Sequence, residues 1–128
     1  MGRRILVADD NIDTRQILRA LLTRSGYDVF LACDGREALN EFERVHPDLA
    51  LIDVMMPELS GLEVCRAVKS IPHLRSVPVV IITAKTDASL KEESRSAGAD
   101  AVLIKPFNPR EIVGTIRKYF PPGSEERN

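Results

Sequence analysis

The sequence predicts an α/β fold in which a parallel sheet is covered by helices on both faces. The first observation is a set of four short apolar runs that each stop at a polar residue: residues 5–8 before Asp9, 49–52 before Asp53, 79–82 before Thr83 and 101–104 before Lys105. An unbroken apolar run of this length is typical of a strand buried on both faces, as in parallel sheets. The second observation is helical spacing between the runs, which predicts five β-α units with right-handed crossovers.

Each predicted element in the first half has its own signal. The first helix carries one apolar stripe and ends at Gly26, a residue type that commonly terminates helices. The stripe consists of Ile17, Leu18, Leu21 and Leu22. A second strand is predicted over residues 28–32. Asp34 and Glu37 then have the spacing of a capping box, which satisfies the free amides at a helix start, and Pro47 ends this second helix.

The second half continues the alternation. Ser60 and Glu63 predict a third helix with a capping box, and its buried stripe is Leu62, Cys65 and Val68. The fourth strand is predicted over residues 77–82. The fourth helix is predicted to start at Thr86 or Asp87 and to end at Ala97. Because Leu90 is its one large apolar residue, we expect this helix to pack weakly and to be an element that moves.

The fifth helix has the clearest start signal of the chain. A cap, a proline at the first helical position and an acid at the third are present as Asn108, Pro109 and Glu111. Its apolar stripe is Ile112, Val113, Ile116 and Phe120. The residues that follow are polar and rich in proline. We therefore expect one domain over residues 1–120, and a flexible tail or the start of a linker over residues 121–128.

Composition excludes several classes of function. The 128 residues carry a net charge of −1, and the pI near 6.1 gives no electrostatic basis for direct binding to nucleic acid. The same balance argues against attachment to an anionic membrane. No apolar stretch approaches the roughly 20 residues that span a bilayer, and the first apolar run is too short for a secretory signal. We therefore expect a cytoplasmic protein with no membrane insertion.

The cysteines and histidines have no spacing that indicates a cofactor. Cys33 and Cys65 are too far apart for a C-x-x-C site, and they are predicted to be small packing residues. His46 and His73 have no partner at the spacing of metal ligands, so both are predicted to be surface loop residues.

Three carboxylates are predicted to meet at one edge of the sheet. The carboxyl ends of parallel strands gather there, and open α/β sheets bind their ligands at that edge. Asp9, Asp10 and Asp53 follow the first and third apolar runs. Like charges at close range repel, and a divalent cation relieves the repulsion. Carboxylate oxygens with room for water suit Mg²⁺, and Mn²⁺ is an acceptable substitute.

Asp53 is the candidate nucleophile, because it stands alone at the end of a central strand. A carboxylate that attacks phosphorus gives an acyl phosphate. That transfer requires partners for the phosphoryl oxygens, and the Thr83 hydroxyl and the Lys105 ammonium are predicted at the same edge.

Four motifs together resemble the receiver domains of two-component response regulators, over about residues 3–120. The motifs are VADDN, LALIDVMMPELSGLE, VVIITA and GADAVLIKPF. The resemblance implies a flavodoxin-like fold, a doubly wound (βα)5 sandwich with strand order 2-1-3-4-5. It implies a phosphorylation-dependent signalling switch, with a sensor histidine kinase or a phosphotransfer protein as donor. It also implies that a downstream effector binds the face formed by the fourth helix, the fifth strand and the fifth helix.

The resemblance also implies the roles of the edge residues. Asp53 is the phospho-acceptor by this comparison. Asp10, Asp53 and the backbone carbonyl of Met55 would bind Mg²⁺ directly, and Asp9 would act mainly through water. Thr83 would move onto the phosphoryl group, and Lys105 would pair with it.

Further positions follow from the same resemblance. Ala84 keeps the small residue that the family favours, and the bond before Pro106 is expected to be cis. Met55 and Lys85 occupy positions that tune the lifetime of the phosphoryl group.

One position departs from the family: Val102 stands where relatives carry a Tyr or Phe that turns inward on activation. A valine cannot make the same swing, so the signal is expected to pass mostly through the Thr83 loop and the fourth helix.

Other readings remain open beside the signalling switch. A Mg²⁺-dependent phosphohydrolase with an aspartyl nucleophile would place a second acid two residues after Asp53, where this chain has Met55. A flavodoxin-like cofactor binder would need a phosphate-binding loop where Asp9 and Asp10 lie. We expect a chain that promotes its own phosphorylation and dephosphorylation without turning over a separate substrate. It is expected to be a monomer or a weak homodimer, and either a stand-alone receiver or the first part of a longer regulator.

Overall fold

Strands and helices alternate in this computed structural model, which describes residues 2–84 and 88–120. The strands are β1 (Arg4–Ala8), β2 (Asp28–Ala32), β3 (Leu49–Asp53), β4 (Val79–Thr83) and β5 (Ala101–Ile104). The helices are α1 (Ile12–Arg24), α2 (Gly35–Val45), α3 (Gly61–Ser70), α4 (Ala88–Ser96) and α5 (Pro109–Tyr119). Lys85, the predicted cap residues Thr86 and Asp87, and the predicted tail 121–128 lie outside the described residues.

The five strands form one parallel sheet in the order β2-β1-β3-β4-β5. This confirms the predicted α/β class and the strand order that the resemblance implied. Val7 of β1 is opposite Leu31 of β2 on one side and Leu51 of β3 on the other. The order in which strands join the sheet reverses between β1 and β3, since β2 lies beyond β1 on one side and β4 lies beyond β3 on the other. The carboxyl ends of β1 and β3 therefore border the crevice where doubly wound sheets bind ligands.

Two buried clusters cover the two faces of the sheet. Residues two apart in a strand point to the same face, so Ile5 and Val7 join one cluster and Leu6 and Ala8 join the other. The first cluster includes side chains of α1 and α5: Leu18, Leu22, Ile112 and Ile116. The second includes side chains of α2, α3 and α4: Ala38, Phe42, Leu62, Val64, Cys65, Val68 and Leu90. The sheet is therefore the middle layer of a three-layer sandwich.

The caps predicted for α2, α3 and α5 are present, with one change of partner. Ser60 and Glu63 form a complete capping box at α3, and Asn108 and Glu111 form another at α5. At α2 the Asp34 carboxylate accepts from the Glu37 amide, but Glu37 Oε1 accepts from the amide of Cys33 instead of Asp34. The predicted capping box at α2 is therefore half correct. The acid reaches one residue further back and ties the end of β2 to the helix.

Two predictions about burial were wrong. Ile17 was placed in the apolar stripe of α1, but 63% of it is exposed, whereas Leu18 and Leu22 are buried. The apolar run at residues 101–104 was expected to be buried on both faces. Instead β5 is an edge strand, its first three residues are half-buried, and 37% of Ile104 is exposed. A third difference is small: β4 begins at Val79 and not at residue 77, directly after Pro78.

Helix α4 is joined to the core by few side chains. Leu90 is buried, as predicted, and so is Ser94. The Ser94 hydroxyl has no hydrogen-bond partner in the described part of the chain. A buried polar group without a partner costs about 1–3 kcal/mol, which adds to the weak packing that the sequence predicts here. Separately, no helix among residues 2–84 and 88–120 is long and apolar enough to cross a membrane.

Candidate functional site

The polar residues that follow the apolar runs meet at the carboxyl edge of the sheet. Asp53 is the last residue of β3, and Thr83 is the last residue of β4. The Lys105 amide donates to the Thr83 carbonyl at 2.7 Å, which holds the end of β5 against β4. The Asp9 amide donates to the carbonyl of Ala32, which aligns β1 with β2 in the same way. Four chain segments therefore deliver side chains to one small region.

Lys105 joins two of the acids directly. Its Nζ lies 2.9 Å from Asp9 Oδ2 and 3.4 Å from Asp53 Oδ2. Asp9 and Asp53 are buried, whereas Asp10 is exposed. A ligand oxygen from each of the three acids lies within 4.8 Å of the others. Three oxygen donors, of which one faces solvent, fit a hard divalent cation that keeps some of its water.

Burial and charge perturb both members of the Lys105–Asp53 pair. Burial raises the pKa of Asp53, and the Asp9 carboxylate raises it further, although Lys105 and the Met55 amide oppose the rise. Burial alone would lower the pKa of Lys105. The hydrogen bond to Asp9 and the attraction of both carboxylates outweigh that effect, so the pKa of Lys105 is raised. Lys105 therefore stays charged, while Asp53 is destabilised as an anion.

Backbone packing fixes the orientation of Asp53. The Met55 amide donates to Asp53 Oδ1 at 3.4 Å, which places the Met55 backbone beside the carboxylate. A Cβ atom at Gly61 would lie 2.1 Å from the Asp53 carbonyl oxygen. Since no real Cβ tolerates that distance, only glycine allows α3 to start so close to the end of β3. Met55 itself is 58% exposed.

Besides the hydrogen bond from its amide to Ala32, Asp9 makes three further hydrogen bonds, and the one from Arg15 was not indicated by the sequence. Its carboxylate accepts from Lys105 Nζ and, through Oδ1, from the Asn11 amide at 2.9 Å. Its carbonyl accepts from Arg15 Nη1 at 2.8 Å. Arg15 gives no signal in the motif around Asp9, because it lies inside α1 and contacts a backbone atom. The one available hint is its place in the helix that starts at this edge.

The remaining predicted positions lie around this centre. Ala84 is exposed next to Thr83, and the Lys105–Pro106 bond is cis. Val102 is half-buried and packs against the cluster that contains Leu90. The valine therefore faces the α4 side of the sheet and not the acids. The predicted lifetime-tuning residue Lys85 lies outside the described residues.

The two cysteines are packing residues with raised pKa values. Burial and the Glu37 carboxylate raise the pKa of Cys33, whose Sγ lies 3.6 Å from Glu37 Oε2. Burial raises the pKa of Cys65 to about 11. Both thiols are therefore poor nucleophiles at neutral pH. His46 and His73 are exposed, as predicted, but they lie at the opposite edge of the sheet with their ring centroids 6.1 Å apart.

The comparisons with known proteins agree on one family. The family model described as the response regulator receiver domain matches residues 5–117. Protein PilG of Pseudomonas aeruginosa is 34% identical over 94% of this chain and 89% of PilG. The alkaline phosphatase synthesis transcriptional regulatory protein PhoP of Bacillus subtilis is 38% identical over 100% of this chain and 55% of PhoP. This chain thus spans about half the length of several curated relatives that it matches.

The solved structures agree with the sequence relatives. The chemotaxis protein CheY4 of Vibrio cholerae superposes with a TM-score of 0.89 and 34% identity, over 93% of this chain and 99% of that one. The fold, the position of the acidic edge and the sequence relatives lead to the same conclusion. The chain belongs to the response regulator receiver domain family, whose members are phosphorylation-dependent signalling switches that work with histidine kinases and effectors.

Proposed function

We propose that Asp53 accepts a phosphoryl group in a Mg²⁺-dependent reaction, with a phosphohistidine of a sensor kinase or phosphotransfer protein as donor. The observation that carries the proposal is the placement of Lys105 Nζ, 2.9 Å from Asp9 and 3.4 Å from Asp53. One cation thus contacts both a buried potential nucleophile and its neighbouring acid. This arrangement provides a charged partner for the phosphoryl oxygens where they would arrive.

Mg²⁺ is the cation that we assign to the three acids. Asp10, Asp53 and the Met55 carbonyl would hold it directly, with Asp9 acting through water, and Mn²⁺ would be accepted in its place. The support is that ligand oxygens of the three acids lie within 4.8 Å of one another and that all are hard donors. When bound, Mg²⁺ would neutralise charge on the transferred group.

The transfer uses an Asp53 carboxylate oxygen as the nucleophile. It forms a bond to phosphorus while the P–N bond of the phosphohistidine breaks, and the electron pair stays on the imidazole nitrogen of the donor. Burial raises the pKa of Asp53, so its carboxylate is a stronger base and nucleophile than an exposed one. The Lys105 ammonium and the Thr83 hydroxyl then bind phosphoryl oxygens, with Ala84 leaving room beside them.

The response is proposed to pass to the face formed by α4, β5 and α5. A phosphoryl group adds close to two negative charges, and Thr83 at the end of β4 is the side chain placed to follow them. Few side chains hold α4 in place, and Val102 packs on the same cluster as Leu90. A small change at Thr83 would therefore reposition α4 without an aromatic switch. Met55 and Lys85 would tune the lifetime of the phosphorylated state.

The wider assignments are part of the same proposal. Residues 1–120 form the receiver and 121–128 a tail or linker start. The chain is proposed to act as a cytoplasmic switch, as a monomer or weak homodimer, without direct nucleic-acid binding, membrane insertion or turnover of a separate substrate. The phosphohydrolase alternative lacks support at position 55, because an acid is needed there and Met55 cannot donate or accept the proton.

The experiment is incubation with acetyl phosphate, with and without Mg²⁺, followed by measurement of the intact mass. We expect one added phosphoryl group that requires Mg²⁺ and is absent in Asp53→Asn. Asp28→Asn, which changes an exposed acid on β2, is the matched control and should be phosphorylated like the wild type. Modification that persists in Asp53→Asn would show that another residue is the acceptor. Sustained hydrolysis of a phosphate monoester would favour the phosphohydrolase instead.

A further inference from the structure

Two histidines from different segments meet at the amino edge of the sheet, opposite the acidic site. His46 is the C-cap of α2, with a left-handed backbone (φ 51°). His73 lies in the segment between α3 and β4. Their ring centroids are 6.1 Å apart and the rings are inclined by 57°. Both rings are exposed, so neither is a packing residue of the core.

A carboxylate orients one of the two rings. The two oxygens of Glu43 lie 2.9 and 3.2 Å from His73 Nε2. In the tautomer that carries its proton on Nε2, the ring donates a hydrogen bond to this carboxylate, and the lone pair of the neutral ring is then on Nδ1. The same pairing of carboxylate and histidine is common behind metal-bound imidazoles, where it sets the ring orientation and strengthens the ligand.

We propose that His46 and His73 bind one borderline divalent cation, Zn²⁺, Ni²⁺ or Cu²⁺, with Glu43 as the carboxylate that supports His73. At Zn–N distances of 2.0–2.1 Å, two imidazoles on one tetrahedral ion have centroids roughly 5 Å apart. The observed 6.1 Å is about 1 Å longer than that value, and the exposed rings would close this difference on binding the ion. The site is independent of the function proposed for Asp53.

The surroundings leave space for the rest of a coordination shell. A cavity of about 260 Å³ opens beside the two rings. Its lining includes both histidines and the polar residues Asp48 and Ser76. Water molecules would complete the shell, since the protein supplies two nitrogen ligands. Binding would therefore be weaker than at a structural zinc site with four protein ligands.

Ligand chemistry separates this site from the acidic one. Imidazole nitrogen suits zinc, nickel and copper, whereas carboxylate oxygen suits magnesium. A metal on both histidines would tie the end of α2 to the segment before β4, at the edge remote from Asp53.

The test is a titration of the full chain with Zn²⁺, monitored by calorimetry and by the imidazole proton signals in NMR. Saturating Mg²⁺ is present throughout, so that the acidic edge is occupied and does not take up Zn²⁺. We expect one equivalent of Zn²⁺ that shifts the signals of both His46 and His73. His46→Asn and His73→Asn should each weaken binding at least tenfold. Asparagine tolerates the left-handed backbone at position 46. Glu43→Gln should weaken binding by about tenfold or more, the usual effect of a lost supporting carboxylate.

Cys33→Ser serves as the matched control, because a thiol is the other borderline ligand near the surface, and it should bind Zn²⁺ like the wild type. Far-UV circular dichroism of each variant verifies that these exposed substitutions leave the fold intact. The proposal is overturned if the wild type binds no Zn²⁺ under these conditions. It is equally overturned if the double variant His46→Asn/His73→Asn binds one equivalent with unchanged affinity.

Discussion

The ionised carboxylate of Asp53 lowers the stability of the folded protein, and the function proposed for Asp53 would explain why an acid is present at this position. Its carboxylate is buried beside Asp9, and both effects raise its pKa in the folded protein. A raised folded pKa means that the folded state binds the proton more tightly than the unfolded chain does. The ionised form therefore destabilises the fold above the folded pKa, and the effect vanishes below the ordinary value of 3.8, where both states are protonated.

Asp53→Asn should consequently stabilise the metal-free protein at pH 7. We expect the free energy of unfolding to rise by about 0.5–2 kcal/mol, the usual size of a stabilising substitution, and the gain to shrink as the pH falls towards 3.8. Urea denaturation at several pH values, with a chelator present, measures this. The exposed Asp28→Asn should change little, and a loss of stability at pH 7 in Asp53→Asn would contradict the argument.

Lys105 is a tethered cation, and it would compete with a metal for the same carboxylates. Lys105→Met keeps most of the aliphatic stem but removes the charge 2.9 Å from Asp9. We expect Mg²⁺ to bind several-fold more tightly, while phosphorylation by acetyl phosphate slows because the phosphoryl oxygens lose a partner. Calorimetric titration with Mg²⁺ gives the affinity. Lys118→Met, an exposed change on α5, is the control, and weaker Mg²⁺ binding in Lys105→Met would exclude such competition.

The site residues that follow an apolar run could be predicted from the sequence. The residues that contact the site only through backbone atoms could not. Asp9, Asp53 and Lys105 could be placed together because parallel strands share one direction. Arg15 could not, since its partner is a carbonyl that every residue possesses. The approach of His46 to His73 was equally hidden, because the separate segments that carry them converge only when α2 packs beside α3.

Helix α5 has stabilising capping residues at its N-terminus and a destabilising glycine in its interior. Asn108 and Glu111 form its capping box, but Gly114 lies in the interior of the helix, and a Cβ there would meet nothing within 4 Å. Glycine in an exposed helix interior costs about 0.8–1 kcal/mol relative to alanine. The position is therefore one where a methyl group adds stability without a clash.

Gly114→Ala should raise the free energy of unfolding by about 1 kcal/mol. Gly98→Ala is the contrasting variant, because Gly98 has φ +93° and a Cβ would lie 2.9 Å from Lys69 Cγ. It should lower the free energy of unfolding by at least about 1 kcal/mol. Thermal and urea denaturation compare the two. Equal effects of the same sign would show that backbone conformation does not decide these positions.

Periodicity predicted the elements well and their burial less well. The cap signals at α3 and α5 are local, so they were readable from four consecutive residues. Ile17 was misplaced because it lies next to the true stripe of Leu18 and Leu22, and a run of adjacent apolar residues does not tell which of them faces the sheet. The exposure of β5 is a property of its edge position, which depends on strand order and not on the residues of the strand.

Across the whole molecule, stability is concentrated in the middle of the sheet. All residues of β3 and β4 are buried, whereas β2 and β5 at the edges are partly exposed. Elements with little buried apolar surface open at lower free energy than the core. Strand order itself followed from family resemblance, because apolar runs of similar length do not reveal which strands are neighbours.

Amide hydrogen exchange should follow that gradient. Amides of β3 are expected to exchange only through global unfolding, while those of β5 and α4 exchange at least tenfold faster through local opening. NMR-detected exchange at several low urea concentrations separates the two routes, since only global opening depends steeply on urea. The argument fails if β5 amides are protected as strongly as β3 amides.

The bond between Lys105 and Asp9 joins residues 96 positions apart. During synthesis on the ribosome, the first strand emerges long before this lysine is translated. Asp9 and Asp53 are therefore translated before the cation that pairs with them. If Asp53 is the phospho-acceptor as proposed, a chain whose translation stops before residue 105 lacks the ammonium that would hold the phosphoryl group beside it.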